Sequence, residues 1–252
     1  MAELVYPPVI VFAKSVYRYL GLRLQLTGTE HVPRAGAAVM CVNHVGYLDF
    51  TFAGYAALPA GRYVRFMAKE AVFRHPVSGP LMRGMKHIPV DRDAGAASFA
   101  TAARALREGE IVGVFPEATI SRSFELNEFK SGAVRLAQQS GAPVLPTVVW
   151  GSQRIWTKGR PKRFRRNHIP VVIAVGQPLA VAADADPVTA LADVKERMAA
   201  LLAEAQHAYP EAPRGEDGSW WLPARFGGTA PTMAQAAEMD REDAQRRQAQ
   251  RE

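Results

Sequence analysis

Ala38-Val39-Met40-Cys41-Val42 is a run of five apolar residues that passes directly into Asn43-His44-Val45-Gly46-Tyr47-Leu48-Asp49. A short continuous apolar run bounded by polar and turn-forming residues reads as a strand buried on both faces. Six other runs share this texture: Leu22–Leu26, Tyr63–Ala68, His87–Asp91, Ile111–Phe115, Val144–Val149 and Val171–Val175. Helical patterns lie between several of them. Ala94–Glu108 is alanine-rich with apolar residues at helical spacing, Ser131–Gln139 stops just before Gly141, and Val188–His207 is the longest and most regular. Strand–helix alternation predicts an α/β fold with a mixed, largely buried sheet flanked by helices.

The composition agrees with a folded α/β domain. The chain has 252 residues, 48% of them hydrophobic and 22% charged, which excludes widespread disorder. Cys41 is the only cysteine, so no disulfide framework is possible within the chain. No run approaches the roughly 18 apolar residues of a spanning helix. Residues 1–21 read as an amphipathic helical segment, apolar at Val9, Ile10, Val11, Phe12, Val16, Tyr17 and Leu20, with Lys14 and Arg18 among them. Such a helix either packs on the domain or lies in a membrane interface. Residues 22–209 are expected to be the α/β domain. Residues 210–252 are expected to be a tail that packs through Trp220 and Trp221 and is partly flexible.

The net charge of +7 is unevenly spread. Residues 129–183 carry nine Lys/Arg and no Asp/Glu, and seven of those cations fall within Arg154–Arg166, beside Trp156 and Phe164. A concentrated basic segment attracts phosphates, whether of anionic lipid, of a coenzyme or of nucleic acid; a solvated hairpin is the plain structural reading.

Loud motifs are missing. There is no Walker A sequence, no G-x-G-x-x-G after a strand, no G-x-S-x-G elbow and no H-E-x-x-H. What remains follows predicted strands, at the strand ends where open α/β sheets keep their sites. His44 and Asp49 are spaced to form a dyad: the carboxylate takes the proton of one ring nitrogen and leaves the other as an acceptor, which suits general-base work near neutral pH. No serine is positioned as nucleophile, so the base would act directly on a substrate hydroxyl. Glu117, after the Ile111–Phe115 run, can bond substrate hydroxyls, and exposed backbone N–H groups with Arg122 can face an anion.

Four blocks in order carry a family resemblance: Asn43-His44-x4-Asp49, Gly84-x3-Ile88-Pro89-Val90-Asp91-Arg92, Phe115-Pro116-Glu117-x-Thr119 and Val144-Leu145-Pro146. Together they resemble the glycerophospholipid acyltransferases, the 1-acylglycerol-3-phosphate and glycerol-3-phosphate O-acyltransferase family, and the composition resembles its actinobacterial members. The third block departs from the usual Phe-Pro-Glu-Gly-Thr-Arg-Ser, with Ala118 in place of glycine and Ile120 in place of arginine. The arginine that usually helps hold the acceptor phosphate is therefore displaced, to Arg122, or missing.

The resemblance implies acyl transfer from an acyl thioester, acyl-CoA or acyl carrier protein, to a hydroxyl of a glycerol-3-phosphate-type acceptor such as 1-acylglycerol-3-phosphate. His44 would be the general base and Asp49 its orienting partner, with Glu117 and Thr119 near the acceptor. Arg92, Arg122, Lys69 and Lys130 are the candidate phosphate cations. The acyl chain would need an apolar groove; Phe50, Phe52 and Tyr55 could line one, with ordinary core packing the leading reading for each. No cofactor or metal is implied, and the expected partners are a membrane lipid surface, acyl-CoA and a lysophospholipid, with no nucleic acid. The implied location is peripheral, on the cytoplasmic face of the cell membrane. A non-catalytic module that binds anionic lipid or nucleic acid through residues 154–166, and a thioesterase using the same base on water, are the alternative readings.

Overall fold

Residue for residue, β2 (Ala38–Val42) is the expected strand, and every one of its side chains is buried. Its alternation explains why the run is apolar throughout: Ala38, Met40 and Val42 face one core, while Val39 and Cys41 face another across the sheet. The structure, a computed structural model, describes residues 3–91, 95–213 and 218–249.

Among the described residues, β2 is the central strand of a seven-stranded sheet. The others are β1 (Arg23–Thr27), β3 (Val64–Lys69), β4 (Ile88–Val90), β5 (Ile111–Val114), β6 (Val144–Trp150) and β7 (Pro170–Val175), in the order β1-β7-β6-β2-β5-β3-β4. All seven expected runs are strands, their ends moved by one residue at most. β6, β2, β5, β3 and β4 are parallel to one another, and β7 meets β6 antiparallel with β1 parallel beside it. The carboxyl ends of five strands therefore share one edge. The mixed α/β sheet flanked by helices is as expected.

On one face of the sheet lie α1 (Tyr6–Leu20) and α2 (Asp49–Ala56). On the other lie α5 (Gly95–Arg107), α6 (Gly132–Ser140) and α7 (Pro187–His207), following the short α3 (Glu70–Arg74) and α4 (Ser78–Gly84) in the chain. Sequence punctuation fixes the helix ends. Gly141 closes α6 at φ 67°, and Asp186 caps α7 by accepting the Thr189 N–H at 2.9 Å, with Pro187 in the first turn.

α1 is both packed and exposed. Tyr6 donates its hydroxyl to the Val64 carbonyl at 2.6 Å, and Tyr17 stacks on Phe52 at 4.9 Å. The opposite side presents Val11, Phe12 and Tyr19, each more than 60% exposed. Among the described residues no helix is long and apolar enough to cross a membrane.

The segment 154–166 is not a hairpin. A single 3-10 turn, Ser152–Arg154, leads into an irregular loop. Arg154 is turned inward against the Trp221 ring at 4.6 Å and pairs with Glu211 at 2.7 Å; Arg160, Lys162, Arg163, Arg165 and Arg166 are exposed. Trp221 itself is buried against Trp150 and Tyr209. Beyond it α8 (Met233–Ala249) reaches back to the domain through Asp240 and Asp243.

Candidate active site

Past β2 the chain is held by its side chains rather than by the ladder. Asn43 is fully buried and copies a backbone pair: its amide donates to the Val149 carbonyl at 3.1 Å and accepts the Val149 N–H at 2.7 Å. This ties the end of β2 to β6 and fixes where His44 leaves the sheet. Five residues on, Asp49 opens α2 and shares its buried face with Phe52, Ala53 and Ala56.

His44 Nδ1 lies 3.0 Å from Asp49 Oδ2. The same oxygen accepts the N–H groups of Val45 at 2.7 Å and Gly46 at 2.8 Å. Oδ1 accepts the hydroxyl of Ser152, from the loop after β6. The Asp49 side chain has no exposed surface, whereas His44 is 21% exposed. A carboxylate that only accepts requires the proton on Nδ1, which leaves Nε2 as an acceptor with no partner among the described residues. The ring rests on Phe115, centroids 4.3 Å apart. Chemically this is an oriented base with one nitrogen open.

Glu117 is turned inward. Its carboxylate, 4% exposed, accepts the His44 N–H at 2.8 Å and the Asn127 N–H at 2.9 Å. Both oxygens are thus engaged by backbone rather than held out for substrate hydroxyls, which corrects the expectation for this residue. Burial pushes its carboxyl up to about 8 against the pull of these two donors. The N–H groups of His44, Val45 and Gly46 are all taken by Glu117 and Asp49, so this stretch offers none of the three to an anion. The next residue, Ala118, has φ 57°, in the left-handed region. That backbone accounts for the glycine usual in the third block, since glycine meets no Cβ penalty there.

The remaining expected residues scatter. Thr119 is half-buried, and Ile120 is buried where the usual block has arginine. Arg122 is not open to an anion: its guanidinium pairs with Asp240 at 3.1 Å and Asp243 at 2.5 Å of α8, and Lys158 joins the same carboxylates. Lys69 is exposed at the end of β3, and Lys130 is exposed with its backbone N–H on the Pro116 carbonyl at 2.9 Å. Arg92 lies outside the described residues. Among the described residues no group of three or more His, Cys, Asp or Glu is arranged to hold a metal ion.

An apolar groove runs between α1 and α2, lined by Val9, Ile10, Ala13, Phe50, Tyr55 and Phe66 among others. Phe50 and Tyr55 line it, where core packing was the leading expectation; Phe52 is fully buried in the core, as that expectation has it. Phe50 meets Phe66 at 6.0 Å, Phe66 meets Phe115 at 6.0 Å, and Phe115 carries His44. The groove and the dyad are therefore joined by a row of rings. His87 lines the groove and accepts the Phe66 N–H at Nδ1, 3.0 Å, while burial pushes its imidazole down to about 4.

The model of the Acyltransferase family matches residues 23–150, from β1 to the end of β6, and so spans the dyad and Glu117. The chain belongs to the acyltransferase family. The resemblance carried by the four blocks is borne out, and the enzyme is an O-acyltransferase. It is 32% identical over 173 residues to the 1-acyl-sn-glycerol-3-phosphate acyltransferase of Bacillus subtilis, covering 66% of this chain and 80% of that one. It is also 32% identical over 163 residues to the enzyme of the same name from Limnanthes douglasii, covering 63% of this chain and 55% of the relative. The acyltransferase shares its fold with the 1-acyl-sn-glycerophosphate acyltransferase PlsC of Thermotoga maritima, with a TM-score of 0.65 and 18% identity over 83% of this chain and 92% of that one.

Sequence reasoning missed Ser152. The one signal was its place, directly after the Val144–Trp150 strand at the edge that carries His44 and Glu117.

Proposed function

We propose that this acyltransferase moves a fatty acyl group from acyl-CoA or acyl carrier protein to the free hydroxyl of 1-acylglycerol-3-phosphate, with His44 as general base. The observation that carries this reading is the His44–Asp49 contact, with the carboxylate immobilised by two backbone N–H groups and the Nε2 edge open. Nε2 takes the proton of the acceptor hydroxyl as its oxygen attacks the thioester carbonyl. The tetrahedral intermediate collapses with cleavage of the carbon–sulfur bond. The thiolate, of pKa about 8.5 when free, leaves with little need of a proton, and the imidazolium returns its proton to it or to water. Asp49 holds the ring in the correct tautomer and stabilises its charged form.

The acyl chain lies in the groove between α1 and α2, which the row of rings connects to the dyad. Lys69 and Lys130, together with Arg92, are the candidates for the acceptor phosphate; Arg122 is committed to α8. No cofactor is called for.

The enzyme works at the surface of the cytoplasmic leaflet, where a water-soluble thioester and a lipid acceptor meet. Val11, Phe12 and Tyr19 supply apolar area, and the loop 160–166 supplies five cations and the exposed Phe164. The two features border each other, because the N–H groups of Asn167 and His168 bond the Leu20 carbonyl at the end of α1. One weak anchor rarely holds a protein to a bilayer, and two together do.

The test is an assay of the purified enzyme with acyl-CoA and acyl carrier protein donors against a panel of glycerol-based acceptors, products being read by mass spectrometry. Formation of phosphatidic acid from 1-acylglycerol-3-phosphate supports the reading. Release of free fatty acid with no acylated acceptor overturns it in favour of a thioesterase.

A further inference from the structure

Among the described residues, Asp49 Oδ2 has three donors and Oδ1 has one, the hydroxyl of Ser152. Ser152 has no exposed surface, so water does not replace it. Its placement is over-determined. Gly151 turns the chain at φ 100°, and a Cβ there would meet the Pro170 carbonyl oxygen at 2.2 Å. A Cβ on Gly46 would come within 3.0 Å of Ser152 Oγ, so the loop that carries His44 is packed directly onto this hydroxyl. The adjoining Thr157 donates to the Val45 carbonyl at 2.6 Å. Two loops from neighbouring strands are thus locked around one carboxylate.

We propose that Ser152 is a positioning residue for acyl transfer, holding the Asp49 carboxylate in the plane that His44 needs. It is not a nucleophile: its hydroxyl lies on the aspartate side of the dyad, remote from the open Nε2 edge, and it is buried. It acts through Asp49. Without it, Oδ1 is a buried acceptor with no donor, the carboxylate is free to turn about its bond, and its charged form loses a charge-assisted hydrogen bond. Imidazolium formation at His44 is then less well supported at the moment of proton transfer. The inference rests on the reading of His44 as general base.

The experiment compares the full-length wild type with Ser152→Ala, Ser152→Cys and His44→Ala, using an acyl-CoA and 1-acylglycerol-3-phosphate, with kcat and both KM values followed across pH. Cysteine keeps nearly the shape of serine but is a poor donor, so it carries the test if the alanine variant does not fold. The expected result is a fall in kcat of about 10- to 100-fold, little change in either KM, and an acid limb of the pH–rate profile moved to lower pH, because a less firmly held Asp49 stabilises the imidazolium of His44 less. A folded variant with wild-type kcat and an unmoved acid limb overturns the proposal, as does a fall in kcat with the limb unmoved, which marks a structural role only. If His44→Ala is inactive while the Ser152 variants match wild type, the serine proposal alone fails. If His44→Ala turns over normally, the dyad reading fails and this proposal with it.

Discussion

One oxygen of Glu117 accepts the backbone N–H of His44 and the other accepts that of Asn127, so a single buried carboxyl spans the loop after β2 and the segment after β5. Glutamine in its place has one acceptor atom, and its NH2 must face one of these two N–H groups. Glu117→Gln should cost about 1–3 kcal/mol of stability and lower kcat by displacing His44, with no selective change in the acceptor KM. Denaturant melts and steady-state kinetics check this. A rise in the acceptor KM alone would restore a hydroxyl-binding role for Glu117.

The same residue sets a pH dependence of stability. Its carboxyl is pushed up to about 8 in the fold by burial, from 4.5 in the unfolded chain. The folded state therefore holds a proton that the unfolded state releases. This contribution is full below about pH 4.5 and is lost as pH rises through about 8. His87 acts in the opposite sense over a lower window: its imidazole falls from 6.5 to about 4 in the fold, so the stability it brings is present above pH 6.5 and is lost toward pH 4. Between pH 6.5 and 8 the Glu117 slope is left. Wild-type Tm should fall across that interval, and Glu117→Gln should flatten the slope; equal slopes in the two proteins would contradict the assignment.

His44→Ala should lose about 10²–10⁴ in rate while keeping the wild-type melting curve. Asp49→Asn should be as severe and should also lower stability, because the amide presents N–H groups toward donors already in place from Val45, Gly46 or Ser152. Circular dichroism together with single-turnover assays separates the two effects. Near-normal turnover by folded His44→Ala would end the general-base mechanism.

Arg122→Ala should loosen the tail rather than the acceptor site. Arg122 joins α8 through Asp240 and Asp243, and ion pairs of this partly exposed kind contribute about 1 kcal/mol at most. Limited proteolysis should release α8 faster, with a small change in Tm and an acceptor KM close to wild type. A selective loss of affinity for the phosphorylated acceptor would instead return Arg122 to the phosphate.

Vesicle binding should require anionic lipid and weaken with salt, as expected for charges screened over about 8 Å at physiological ionic strength. Replacing Arg163, Arg165 and Arg166 by Gln should lower the salt sensitivity, and Phe12→Ser should lower the salt-independent part. Activity on a short-chain, water-soluble acceptor should survive both changes. Flotation assays read the first two outcomes, and binding indifferent to salt and to all four residues would remove these surfaces from the membrane contact.

The strands were legible because both faces of the sheet are covered, so Val, Ile and Ala fill every position and the runs stand out. α2, α3 and α4 were not foreseen. α2 has eight residues and is apolar on nearly every side, which leaves no periodicity to detect, and α3 and α4 are shorter still. Within the candidate site, His44 and Asp49 were legible because their contact is local. Glu117 was found as a residue but not in its orientation, because the donor that turns it inward is 73 positions away in the chain. Ser152 meets Asp49 across 103 positions, and Arg122 meets its α8 partners across 118 and 121. Contacts at such separations leave no local pattern in a single sequence.

β5, β2 and β6 lie side by side in the sheet, yet the contacts that frame His44 join residues 73, 103 and 106 positions apart. Each such contact closes a long loop, and loop closure must be completed before the pairing is rewarded. The local pairing of His44 with Asp49 therefore does not by itself orient the base, which also needs the central strands in register. During refolding from denaturant, enzymatic turnover should return with the slowest phase, when the central three strands register, and should lag behind the recovery of the far-ultraviolet signal.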